Sequence, residues 1–191
     1  MTGKELLETV AQMGFAKTLE DGEAYFYRAV NLSLSRICRL FPLMGSIRLS
    51  VSGQTSVVLT EKDDAFLGFP ASPILGEASG REESALLCEG RDYLIRGNTV
   101  LFLRDVGNVT IYYLRRARTV TVDKKEESID VHPAAESLLP LLVASYLWLD
   151  DRGELATHYL KLYQTEADEL RRNLYRHGSI RLCAPNGWDH T

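Results

Sequence analysis

Hydrophobic spacing divides the chain into three stretches of different period. Near the start, Leu6, Leu7, Val10 and Met13 recur at helical intervals behind Thr2 and Glu5. That pair matches a capping box, in which each side chain satisfies the other residue's free backbone N–H. Residues 17–21 form a polar break. Tyr27, Val30, Leu34, Ile37, Cys38 and Phe41 then fall three or four residues apart and predict a helix over 22–41 with one apolar stripe. Pro42 and Gly45 close it.

From Ser46 the repeat shortens to two. Ile47, Leu49 and Val51 alternate with Arg48, Ser50 and Ser52, as in a half-buried strand. Further strands are predicted at 57–60, 86–89, 93–96, 100–103 and 109–114, with 119–122 as a last one. Gly97-Asn98 suits a two-residue hairpin turn. Residues 66–76, with Gly68, Pro70, Pro73 and Gly76, read as an irregular loop. So many short strands suggest a small antiparallel sandwich or barrel.

Residues 124–128 read as a charged linker back to helical periodicity. Pro133 suits a first helical position. Residues 138–149 are nearly all apolar, which predicts a helix buried on most sides. Pro140 bends that helix or marks its true start. Asp151 and Glu154 repeat the capping pattern before a long final helix that reaches about Arg176, with Gly178 as its C-cap. Residues 179–191 show no period, and neither an internal repeat nor a low-complexity segment stands out.

Neither helical stretch covers its own apolar surface. The expected fold is therefore α+β: an antiparallel helical bundle of 1–45 and 129–178, with the N-terminal helices packed on a C-terminal helical pair. Residues 46–123 form an inserted small antiparallel β-sandwich or barrel, and 179–191 an extended tail. Apolar burial at about 25 cal/mol per Å² favours that closure. The insertion is tolerable because each doubling of loop length costs only about 0.6 kcal/mol.

Composition narrows the function classes. The 191 residues are 45% hydrophobic and 25% charged, which suits an ordinary soluble globule and excludes wholesale disorder. The longest apolar run is shorter than the roughly 20 residues of a spanning helix, and no basic-then-apolar leader is visible. A net charge of −4 disfavours a general grip on nucleic acid. The charge is uneven: 61–92 hold eight acids and three bases, while 104–125 hold six bases and two acids. Opposite patches of that kind suit self-association. Cys38, Cys88 and Cys183 are far apart, contain no C-x-x-C pair and suit a reducing compartment.

Chemistry-bearing patterns are scarce. His132, His158, His177 and His190 are not at metal-ligand spacing, and no nucleophile elbow or phosphate loop occurs. The expectation is no catalytic residue, no metal and no cofactor. Asp63-Asp64 reads as a turn and Asp150-Asp151 as a helix start, where acids favour the dipole. His158 reads as a surface histidine, and Trp148, Tyr159 and Tyr163 as core aromatics. Arg115, Arg116 and Arg118, beside Tyr112-Tyr113, form a candidate basic patch. Phosphate contact is one reading of it. An edge-strand guard or an intersubunit ion pair is the stronger one. Trp188 fits either a partner-anchoring aromatic or a plain chain end.

Several segments together carry a resemblance. These are the helix ending Arg39-Leu40-Phe41-Pro42, the hairpin Tyr93-Leu-Ile-Arg-Gly-Asn-Thr-Val-Leu-Phe-Leu, and the strand Val109-Thr-Ile-Tyr-Tyr-Leu-Arg-Arg. The last is the helical pair over 131–163, with its acidic turn Asp150-Asp151 and the run Tyr159-Leu-Lys-Leu-Tyr. Over about residues 20–175 the chain resembles the head–tail connector, or adaptor (neck), proteins of tailed bacteriophages and prophages, though with a sizeable β insert. The resemblance implies a non-enzymatic structural virion protein. Its homo-oligomeric ring of about twelve copies would dock beneath the portal protein, extend the DNA channel and form the platform for tail proteins. DNA would pass without sequence-specific binding, no membrane would be involved, and the ring would sit in the virion neck after assembly in the host bacterial cytoplasm. By position, Arg181, Leu182 and Trp188 become candidate portal-docking residues, and Arg115, Arg116 and Arg118 an intersubunit or DNA-facing patch. The alternative is a nucleic-acid-binding module that uses the same three arginines.

Overall fold

The computed structural model describes residues 1–15, 23–71, 73–77 and 84–176. In chain order its elements are α1 (Gly3–Val10), α2 (Glu23–Leu40), β1 (Leu43–Val51), β2 (Thr55–Val58), α3 (Leu59–Lys62), β3 (Phe66–Gly68), β4 (Ile74–Glu77), β5 (Ser84–Leu86), β6 (Tyr93–Arg96), β7 (Thr99–Phe102), β8 (Gly107–Arg115), α4 (Leu138–Leu147) and α5 (Gly153–Arg176). The fold mixes α-helices with antiparallel sheets and splits into two compact units. One comprises Met1–Pro42 and the described chain from Ala117 onward; the other comprises Leu43–Arg116.

In the helical unit, α1 begins at the capping box. The Thr2 hydroxyl accepts the Glu5 N–H at 3.2 Å, and the Glu5 carboxylate accepts the Thr2 N–H at 2.8 Å. A π-helical turn, Ala11–Phe15, extends α1 and turns on Gly14 at φ 108. Only glycine suits that left-handed position, where a Cβ would also meet the Trp148 ring at 2.8 Å. The apolar stripe of α2 buries Phe26, Val30, Leu34 and Ile37 against Leu138, Leu139, Leu142 and Val143 of α4, and Tyr163 of α5 joins the same core. Pro140 sits in the first turn of α4, where its missing N–H has no helical partner to lose, so it marks the helix start.

Residues 119–122 are not a strand. Asn31, on α2, does what a neighbouring strand would do: its Oδ1 accepts the Val120 N–H and its Nδ2 donates to the Val120 carbonyl, both at 2.9 Å. The chain then enters a short 3-10 turn, Val122–Lys124. The expected linker is also tied down. The Lys4 N–H donates to the Lys125 carbonyl at 3.0 Å, and Thr2 bridges to Ser128. Pro133 opens a 3-10 turn, Pro133–Ala135, rather than the α-helix, with His132 Nδ1 accepting the Ala134 N–H at 3.2 Å.

In the β unit, one sheet has the order β1-β8-β4-β5, with β3 also on β8; a second has the order β2-β7-β6. No closed barrel forms among the described residues. β1 pairs with β8 without a shift from Leu43↔Arg115 to Val51↔Gly107. Opposite Gly45, the Tyr113 ring fills the space of the missing side chain; a Cβ there would meet it at 2.5 Å. The Tyr113 hydroxyl donates to Asp63 Oδ2 at 2.6 Å, which pins the ring. The expected loop over 66–76 contains β3 and β4, because β8 supplies both with a partner and the prolines fall between them. The strand expected at 57–60 stops at Val58, where Leu59 turns into α3 with its side chain fully buried. Both sheets feed one core through Val51, Ile74, Val109 and Ile111 on one side and Val57, Tyr93, Val100 and Phe102 on the other.

Candidate functional site

The stripe that α2 buries leaves its opposite side to carry polar and surplus apolar residues. Arg28, Leu32, Arg36 and Arg39 follow at intervals of four, four and three, so they line up on one exposed face with Tyr25. Leu32 is 51% and Tyr25 46% exposed, and the exposed side of α2 holds no acid. Among the described residues none of the three arginines makes an ion pair. The Arg36 guanidinium instead lies 5.5 Å from the centre of the Tyr163 ring. Burial holds the Tyr163 phenol above its usual range.

Beside this face runs an open groove of about 510 Å³, lined on α2 by Tyr27, Arg28 and Leu32 and opposite by Val120, Thr121 and Val122. Tyr27 is 4% exposed, and its hydroxyl has no hydrogen-bond partner among the described residues. Burial, with Glu23 and Glu126 nearby, pushes its phenol up. The groove is largely apolar with one cation at its rim. It suits the docking of an apolar surface that carries acids.

The residues singled out by sequence fall in both units. Arg115 ends β8 opposite Leu43 and Phe66. Arg116 follows it, with Nη2 donating to the Asp64 carbonyl at 2.7 Å and its N–H to the Ala65 carbonyl at 2.9 Å. Arg118 belongs to the helical unit, where its N–H reaches Asp130 at 3.4 Å. Arg181, Leu182 and Trp188 lie outside the described residues. His158 is exposed, Cys38 is buried, and Tyr163 is a core residue. Comparison with protein-family models and with curated proteins finds no match for this chain.

The tightest cluster of charge is in the β unit. The Asp92 carboxylate is 0% exposed. Its Oδ1 takes the Arg104 Nε at 2.8 Å and the Arg91 Nε at 3.1 Å; its Oδ2 takes the Arg91 Nη2 at 3.0 Å and the Cys88 N–H at 2.9 Å. Hydrogen bonds from Arg91, then from the Cys88 backbone and Arg104, hold the carboxyl well below the usual carboxylate range. Its backbone is tied too: the N–H donates to Cys88 and the carbonyl accepts from Leu103, both at 2.9 Å. An acid with all its lone pairs engaged is a clamp between the start of β6 and the end of β7, not a proton carrier. Next to it, burial pushes the Tyr93 phenol up to about 12. Among the described residues, no three His, Cys, Asp or Glu side chains gather where they could hold a metal ion, and no helix is long and apolar enough to cross a membrane.

The α2 face has a sequence signal that a search for contiguous basic runs passes over. It is the complement of the apolar stripe, read at the same helical period.

Proposed function

We propose that the chain is a structural docking protein, a head–tail connector that assembles as a ring beneath a phage portal, lengthens the DNA channel and presents a platform to the tail. In this reading the early and late helices act as one antiparallel bundle and the β unit as an inserted sandwich. The protein works by ordered docking rather than by turnover. The observation that carries the reading is the outer face of α2: three arginines without an ion-pair partner among the described residues, interleaved with exposed Tyr25 and Leu32, on a chain of net charge −4. A surface of that kind is made for an acidic, apolar partner rather than for water. The resemblance of residues 20–175 to connector proteins supplies the assembly.

Sedimentation of the purified chain, alone and with a purified portal ring, tests it. Expected are weakly associated subunits that co-sediment with the portal and appear as a collar in electron micrographs. A monomer that ignores the portal refutes it. DNA binding that falls steeply with salt and is lost on Arg115→Ala, Arg116→Ala and Arg118→Ala would favour the nucleic-acid module instead.

A further inference from the structure

β1 is a nine-residue edge strand. Among the described residues it is hydrogen-bonded on one side only, to β8. Sheet edges of this kind are normally short, bulged, rich in lysine or broken by proline. β1 has none of these protections: its register is unshifted over about 30 Å, and Arg48 is its one charge. The core-facing Ile47 and Leu49 are only partly buried, whereas Val109 and Ile111 of the neighbouring β8 are 1% and 0% exposed. The apolar layer thus continues past the last described strand, and among the described residues nothing takes up the backbone donors and acceptors on that side of β1.

The sequence contains a segment to match. Over five residues only, too few to stand out as a structural repeat, Gly45-Ser46-Ile47-Arg48-Leu49 recurs, residue for residue, as Gly178-Ser179-Ile180-Arg181-Leu182. Beyond the second copy, Cys183 and Ala184 continue the alternation, and Pro185 ends it. This stretch starts two residues after Arg176, the last residue of α5, and lies among the fifteen residues 177–191 outside the described structure.

We propose that residues 178–184 of one copy add as an antiparallel strand to the free edge of β1 in the next copy. Charge chooses the direction. A parallel, in-register pairing sets Arg181 beside Arg48; the antiparallel pairing centred on Ile47 and Ile180 sets Arg48 opposite Ser179 and Arg181 opposite Ser46. Ile180, Leu182 and Ala184 then extend the face of Ile47 and Leu49, and main-chain bonds supply affinity while the alternate side chains supply register. The inference rests on the ring reading to name a second copy as the source of the strand. Edge and tail are different surfaces, so each copy gives a strand to one neighbour and takes one from the other, the head-to-tail arrangement that closes rings.

The pairing places Met44, 52% exposed, opposite Cys183. The test oxidises full-length Met44→Cys in a Cys88→Ser background with no portal present, then maps disulfides by mass spectrometry. Cysteines directly opposite on paired strands are about 4.5–5.5 Å apart at Cβ, close enough to bridge with a small adjustment. Expected are cross-linked oligomers joined by bonds between position 44 and Cys183 of different copies. Leu182→Pro, or an excess of a peptide of residues 177–186, should lower their yield at least tenfold. No such bond, or one formed only within a single chain, overturns the proposal. A chain that cross-links in this way but ignores the portal keeps this inference and loses the connector reading; a chain that collars the portal without the bond does the reverse.

Discussion

Asn31→Ala isolates a single device, the side-chain amide that stands in for a strand. In the native protein its two hydrogen bonds to Val120 are both 2.9 Å long, and Val120 is 8% exposed. Truncation removes both bonds, each with a net worth of about 1 kcal/mol, and strands a backbone N–H and C=O at a cost of about 1–3 kcal/mol apiece where water is shut out. The adjacent groove of about 510 Å³ is open, so water can reach part of that pair. The sum therefore falls near 2–3 kcal/mol rather than at the upper limit. For a chain of this length that is roughly a 4–12 °C loss in Tm. Two units with separate cores need not melt together, so the readout must belong to the helical unit. Amide exchange at Val120 serves, alongside urea unfolding. Exchange there should speed up in the variant well before the protection of α2 changes. Asn31→Asp keeps the acceptor for the Val120 N–H but sets an oxygen against the Val120 carbonyl, so it should recover only part of the loss. An unchanged Val120 amide, or a loss below about 0.5 kcal/mol, refutes the strand-substitute argument.

Three other perturbations address the cores. Asp92→Asn should lower the denaturant midpoint of the β unit at neutral pH. The native carboxyl titrates below its unfolded value, so its contribution is complete above about pH 4 and is lost as pH falls toward the folded value. The gap between variant and wild type should therefore narrow in acid, and a gap that is constant from pH 7 to pH 2 would clear the carboxylate of that role. Gly45→Ala forces a Cβ to within 2.5 Å of a Tyr113 ring pinned by Asp63 and should cost about 1–3 kcal/mol in urea unfolding. The double variant with Tyr113→Leu should be less than additive. Leu139→Ala, at a site 0% exposed, should cost about 2–5 kcal/mol, and Leu139→Met less than about 1.5 kcal/mol.

What could be read from the sequence is what depends on neighbours along the chain. The α2 stripe, the Thr2–Glu5 capping box and the hairpin around Gly97 are local, and the structure contains all three where spacing predicts them. The departures are long-range. Thr119-Val120-Thr121-Val122 has strand composition and extended backbone at Thr121, but its partner is an asparagine side chain 89 residues earlier. β3 and β4 lie in a Gly- and Pro-rich stretch and exist because β8 offers them a ladder. Val57 and Val58 look able to run on as strand, yet the Leu59 N–H is drawn to the Asn98 carbonyl at 2.9 Å and the chain turns.

The same distinction governs the site. Arg115, Arg116 and Arg118 are close in the chain and attract notice as a run, and the boundary between the two units falls after Arg116. Arg28, Arg36 and Arg39 are dispersed in the chain, and the helical period gathers them on one face beside Tyr25 and Leu32. A surface is built by periodicity, not by contiguity. Charge is therefore better summed over the exposed phase of a predicted helix than over a window of sequence, and by that measure α2 stands out before any coordinates are known.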